Sequence, residues 1–241
     1  MHRLLKLVTV PVSFLAALCS PRDFSTDIVP DEAEAARRLS ALATRPRTLA
    51  RPLLLIHGWL DSPKRFRKLN AWIQKIFTNS ASMVSLVPLD GKAPVGELGA
   101  KVAAAYGKTG EVDVVGHSMG GLVARSAAVE GLRVGRLFAI ATPHRGALLA
   151  RCAPAFLSRQ LRDLGAGSEF IRALNADPAS MHFEAVTYVV QGDTHVRKCN
   201  AEAIPGAHYY LRLTFWQNSH LEAPEDMRII ADVIEKLYEG P

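Results

Sequence analysis

Cysteine is scarce in this chain, three in 241 residues, and neither cysteine nor histidine recurs at a spacing that would ligate a metal. The expected set of bound groups is therefore empty, with no cofactor and no metal. No segment repeats at a fixed period and no tract is low in complexity, which excludes solenoids and fibrous arrays. No apolar run reaches the roughly 18 residues from which a membrane-spanning helix is built. Charge of one sign is also in short supply. The 29 Lys and Arg against 23 Asp and Glu leave +6, drawn partly from Arg3, Lys6 and the stretch Arg45 to Arg51 rather than from one basic face. No nucleic-acid motif accompanies it, so nucleic acid is not an expected partner. What remains, 49% hydrophobic and 22% charged, is the composition of a globular domain long enough for one sizeable core and short for two.

Against that background one stretch stands out. The apolar run Val112-Asp113-Val114-Val115 leads into Gly116-His117-Ser118-Met119-Gly120-Gly121. Glycines two residues either side of Ser118 permit a tight strand-to-helix turn that pushes the hydroxyl out over a sheet edge, the arrangement called a nucleophile elbow. The helix that follows, expected from Met119 to Glu130, aims its unpaired amides and positive dipole end at whatever binds there. A second strand, Leu53 to Ile56, runs into His57-Gly58-Trp59. The backbone amides of Trp59 and Met119 are the expected pair of oxyanion donors.

A serine hydroxyl is a weak nucleophile until an imidazole takes its proton. Of the eight histidines, His57 and His117 belong to the two motifs, His2 to the N-terminal segment, and His144 comes too early for the order serine, acid, histidine. Of His182, His195, His208 and His220, only His220 falls in a short polar loop between a late strand, Tyr209 to Trp216, and a C-terminal amphipathic helix, Pro224 to Tyr238. His208 is the fallback and is expected to be the more buried. Asp193 follows the penultimate strand in Gly192-Asp193-Thr194 and is the expected orienting carboxylate, with Asp177 and Glu222 in reserve.

Gly116 to Arg125 and Ala141 to Gly146 (Ala-Thr-Pro-His-Arg-Gly), with the Gly-Asp turn, the late histidine and Gly167 to Asn175, resemble serine lipases and esterases of the α/β-hydrolase superfamily, the bacterial triacylglycerol-lipase-like members especially. The resemblance covers roughly residues 50 to 240. It implies a mostly parallel, doubly wound sheet with a small helical cap, a triad of Ser118, Asp193 and His220, and cleavage of acyl or lipid esters through an acyl-enzyme. Acyl transfer, thioester or amide cleavage, or a non-catalytic binding role on the same fold are the alternatives. Such lipases often follow the acid with Gly-Val-Val-Pro, whereas Thr194-His195-Val196-Arg197-Lys198-Cys199 stands here. The departure bears on the rim of the pocket more than on the chemistry.

The chain divides into residues 1–19, built like an export leader or lipoprotein leader, residues 20–50, a short helix from Asp31 to Leu42 plus a proline-punctuated linker, and residues 51–241, with a cap over about 148–184. The short helix is expected to pack loosely. The leader implies export, with lipidation at Cys19 and peripheral membrane association as one form of it and a cytoplasmic location as the alternative. Cys152 and Cys199 then remain, either joined or as two free thiols. In the cap, Leu149, Phe156, Leu161, Leu164, Phe170 and Leu174 offer apolar surface, most of it expected to seal the cap to the core and some to line an acyl pocket.

Overall fold

Strands buried on both faces read as unbroken aliphatic runs, and Leu53–Ile56 and Val112–His117 are buried along their whole length. In the computed structural model, residues 31–90, 92–147, 150, 158–212 and 219–241 are described. In chain order they form α1 (Glu32–Ala43), β1 (Leu53–Ile56), α2 (Arg67–Ile76), α3 (Ser80–Met83), β2 (Val84–Val87), α4 (Val95–Tyr106), β3 (Val112–His117), α5 (Met119–Val129) and β4 (Val134–Ile140). Then follow α6 (Arg159–Leu164), α7 (Glu169–Ala176), β5 (Glu184–Gln191), α8 (Lys198–Ala201), β6 (Ala207–Arg212), α9 (Ser219–Glu222) and α10 (Met227–Glu239).

The six strands make one sheet in the order β2-β1-β3-β4-β5-β6, every pair parallel. From β1 the chain moves outward to β2, then crosses back to β3 on the other side of β1. The direction of winding therefore reverses between β1 and β3, and the crevice beyond their carboxyl ends is where sheets of this kind bind ligands. Side chains alternate across the sheet. Leu53, Leu55, Val115, Phe138 and Tyr188 meet α1, α2 and α10 on one face. Leu54, Ile56, Val114 and Leu137 meet α4, α5 and the helices α6 and α7 on the other.

Helix α1 departs from expectation. Ala35 and Leu39 are completely buried in the first of these cores, so the helix is part of the packed structure rather than loosely attached. Their i, i+4 spacing puts both on one face, and Arg38 reaches Glu235 of α10 across the contact. Strand β4 takes in a charged residue, because Arg136 is tolerated inside it. Its guanidinium bonds the buried Asp113 of β3 at 2.6 and 3.1 Å and the carbonyls of Lys236 and Gly240.

Candidate active site

Ser118 joins β3 to α5 with φ 51° and ψ −120°, a conformation that L-residues seldom adopt. The turn is possible only because of its glycines. A Cβ on Gly120 would stand 2.0 Å from the Ile56 carbonyl oxygen, and one on Gly116 would stand 2.6 Å from the Gly121 nitrogen. The loop after β1 runs against the same point, since a Cβ on Gly58 would lie 3.2 Å from that of Ser118. His57 Nδ1 donates to the Gly58 carbonyl at 2.9 Å. In a trans peptide the N–H opposes the C=O, so this bond turns the Trp59 amide away from the His57 ring. Among the described residues nothing accepts from the Trp59 or Met119 amides.

The structure brings Ser118, His220 and Asp193 into one hydrogen-bonded chain. His220 Nε2 is 3.0 Å from Ser118 Oγ, and His220 Nδ1 is 2.7 Å from Asp193 Oδ2. A carboxylate only accepts, so Nδ1 carries the proton and Nε2 presents its lone pair to the serine hydroxyl. Asp193 Oδ1 is fixed in turn by the amides of His195 at 2.7 Å and Val196 at 3.0 Å. Two expectations need correction. His220 sits on the short helix α9 rather than in a loop, and it is the buried histidine, whereas His208 on β6 is only half-buried. Asp177, held in reserve as the acid, instead caps the turn Pro178–Met181 through a bond from the Ala179 amide.

Two side chains that sequence reasoning passed over hold the backbone around His220. His117, completely buried, donates from Nε2 to the His220 carbonyl at 2.9 Å. Burial and the neighbouring His220 push the His117 pKa down to about 3, so the ring is neutral at ordinary pH. Arg65 donates to the carbonyl of Leu221 at 2.8 Å and forks onto Asp61 at 2.6 and 3.2 Å. Burial works against the charge on Asp61, but the bonds from Arg65 and the Ser62 amide outweigh it and keep its pKa low. A third side chain, His195, stacks on His220 with ring centroids 4.7 Å apart. The available signal was proximity in sequence, since His117 precedes Ser118 and His195 is two residues beyond Asp193.

Ser118, His195 and His220 face a cavity of about 500 Å³ whose other walls are largely apolar: Trp59, Leu60, Pro143, Ala147, Leu161, Leu164, Val196 and Leu221. Leu60 is 77% exposed, which is high for so large an apolar side chain. Of the six apolar cap residues, Leu161 and Leu164 line the cavity, Phe170 and Leu174 pack into the core beside α4 and α5, and Leu149 and Phe156 lie outside the described residues. Cys199 is exposed with a free thiol. Cys152 and the leader lie outside the described residues. No helix of the described residues is long and apolar enough to cross a membrane.

Comparison with known proteins agrees with this architecture. The PGAP1-like alpha/beta domain family matches residues 95–153. No curated protein shows significant sequence similarity to the chain. Among solved structures, the mature form of the lipase BlEst2 from Bacillus licheniformis superposes with TM-score 0.56 at 19% identity, covering 81% of this chain and 93% of that one. Its propeptide form gives 0.57 at 19% identity over 75% of this chain, which spans only 48% of that longer one. The phospholipase PlaB from Legionella pneumophila, in complex with thio-NAD, gives 0.60 at 14% identity over 79% of this chain and 58% of that one. The metagenomic carboxyl esterase MGS0156 gives 0.56 at 15% identity, covering 80% and 76%. The chain has the α/β-hydrolase fold.

Proposed function

We propose that this protein is a serine hydrolase of carboxylic esters, acting on acyl or lipid esters through an acyl-enzyme on Ser118. The observation that carries the proposal is the unbroken chain Asp193–His220–Ser118 at 2.7 and 3.0 Å, opening into an apolar cavity at the reversal point of the sheet. In the proposed reaction His220 takes the hydroxyl proton as Ser118 attacks the ester carbonyl. The backbone amides of Trp59 and Met119 receive the oxyanion, and His220 returns the proton to the departing alcohol. Water, deprotonated by the same ring, then releases the acid. Asp193 holds the Nδ1–H tautomer and stabilises the transient imidazolium without taking its proton. The lipase and esterase relatives in structure support the reaction class. The apolar walls and exposed Leu60 support a hydrocarbon rather than a polar acyl group, each buried methylene contributing about 0.8 kcal/mol.

Incubation with a fluorophosphonate probe tests the proposal. Labelling of the wild-type chain and its loss in Ser118→Ala is expected, together with hydrolysis of p-nitrophenyl esters that favours longer over shorter acyl chains. A folded wild-type chain that takes no label would instead favour a binding role. The proposal extends to export, for which mass spectrometry of the native protein is the check. An N-terminus at Ser20, or a lipidated Cys19, is the expected result, and a chain still beginning at Met1 would count against a processed leader.

A further inference from the structure

Asp193, His195 and His220 each offer a ligand atom, and these atoms lie within 4.8 Å of one another. His220 Nδ1 is 2.7 Å from Asp193 Oδ2, and His195 Nδ1 is 3.8 Å from Asp193 Oδ1. The two imidazoles are stacked 23° from parallel with both Nδ1 atoms near the same carboxylate, and the Thr194 hydroxyl lies 3.2 Å from His195 Nδ1. Sequence spacing gives no sign of this, because the three residues meet only through the turn after β5 and the helix α9.

We propose that these three residues form a binding site for a divalent cation of zinc type, and that the cation switches the enzyme off. Two imidazole nitrogens and one carboxylate oxygen are a zinc donor set that leaves a fourth position for water. The carboxylate is already held in place by the amides of His195 and Val196. Zinc–ligand bonds near 2.0–2.1 Å place tetrahedral donors about 3.3 Å apart, so the His220 Nδ1–Asp193 Oδ2 pair at 2.7 Å must part slightly and His195 Nδ1 must move inward by about an ångström. His195 can supply that movement, because its side chain is 47% exposed whereas those of Asp193 and His220 are buried.

The consequence for activity follows from the tautomer of His220. Coordination through Nδ1 uses the electron pair that the Nδ1 proton occupies, so that proton moves to Nε2 and the ring stays neutral. Nε2 then bears a hydrogen where Ser118 needs an acceptor, and the serine keeps its own proton. Metal binding and nucleophile activation thus exclude each other. Calcium and magnesium, which take oxygen ligands, fit this nitrogen-rich set poorly. The inhibitory effect rests on the hydrolase reading, whereas the binding does not.

The test uses the full chain carrying Cys199→Ser, which removes the exposed thiol. Zinc chloride is titrated by calorimetry and, in parallel, into an assay of p-nitrophenyl butyrate hydrolysis. We expect a one-to-one site that is filled well below millimolar zinc, loss of hydrolysis over the same concentration range, recovery on adding a chelator, and no effect of magnesium. His195→Phe keeps a flat ring against His220 but has no lone pair. It should bind zinc at least about tenfold more weakly, and its remaining activity should resist zinc to the same degree. His195→Asn serves as a second variant should the phenylalanine disturb the turn. Zinc binding that is unaltered in both variants, or absent below millimolar concentration, overturns the proposal. Metal binding without any ester hydrolysis would sink the hydrolase reading and leave the site standing. Hydrolysis indifferent to zinc would do the reverse.

Discussion

The imidazole of His117 donates to the backbone carbonyl of His220 at 2.9 Å, with both residues buried, so the residue before the candidate nucleophile positions the residue proposed to deprotonate it. His117→Phe preserves the ring but leaves a buried carbonyl unpaired, at a cost of about 1–3 kcal/mol. If that cost falls on the alignment of His220, kcat should drop about 10- to 100-fold. KM should change little, because His220 approaches the acyl carbonyl only during reaction. His117→Gln, which keeps a donor, should recover part of the loss. Steady-state kinetics that separate kcat from KM decide it, and equal turnover in all three proteins would show the bond to be idle.

Asp193→Asn replaces the acceptor of the His220 Nδ1–H by a group that can donate instead, which favours the wrong tautomer. Turnover should fall by about 10⁴-fold while the urea midpoint moves little. The same loss from Asp177→Asn, with Asp193→Asn active, would transfer the role to the residue that the structure shows capping a turn.

The elements carrying Ser118 were legible because they are made of local signals. Aliphatic runs gave β1 and β3, and glycines at fixed offsets gave the turn between β3 and α5. What escaped depends on contacts between distant segments. Arg136 reads as a surface charge until Asp113 and the end of α10 enclose it. The attachment of α1 escaped as well: the spacing of Ala35 and Leu39 puts them on one face, but nothing local reveals the face of α10 that buries them. For His117 and His195 the sequence offered only their nearness to Ser118 and Asp193, because their contacts with His220 arise where three segments converge.

Gly120 and Gly110 should respond differently to alanine. At Gly120 the added Cβ would meet the Ile56 carbonyl oxygen at 2.0 Å, backbone against backbone, with no side chain able to move aside. Gly110→Ala meets nothing within 4 Å and carries only the strain of φ +92°, about 1–2 kcal/mol. Urea melts should show Gly110→Ala folded and slightly weakened, and Gly120→Ala unfolded or severely destabilised. Comparable midpoints for the two would mean that β1 and α5 are not so closely apposed.

Arg125 fastens α5 to α7 and the turn Pro178–Met181 with no carboxylate partner among the described residues. Fully buried, it donates to the Ser180 carbonyl, Ser180 Oγ, Asn175 Oδ1 and the Leu174 carbonyl at 2.8–3.4 Å. Burial lowers its pKa to about 10, still high enough to keep the charge at neutral pH. Arg125→Met should cost about 1–3 kcal/mol for each acceptor left unpaired, the Ser180 carbonyl and Asn175 Oδ1 above all. Hydrogen exchange should accelerate across residues 169–181 before it does in β3. Uniform acceleration would show that the residue supports the whole fold rather than this segment.

Acid should weaken this fold through two buried histidines. His144 has no hydrogen-bond partner for either ring nitrogen among the described residues, and burial, then the charge of Arg125, pushes its pKa well below 6.5. His117 is lowered to about 3, mainly by burial. In the unfolded chain both titrate near 6.5, so below that pH the unfolded state binds the additional protons and stability falls as pH falls. For His117 the loss continues down to about pH 3, and for each ring it amounts to about 1.4 kcal/mol per pH unit. His144→Leu removes one of the two groups together with its unpaired nitrogens. Its stability at pH 8 should lie close to that of the wild type, and its decline between pH 6 and pH 4.5 should be shallower by about 1.4 kcal/mol per pH unit. Urea midpoints measured across that range give the comparison, and parallel slopes would mean that His144 accepts a proton without leaving the folded state.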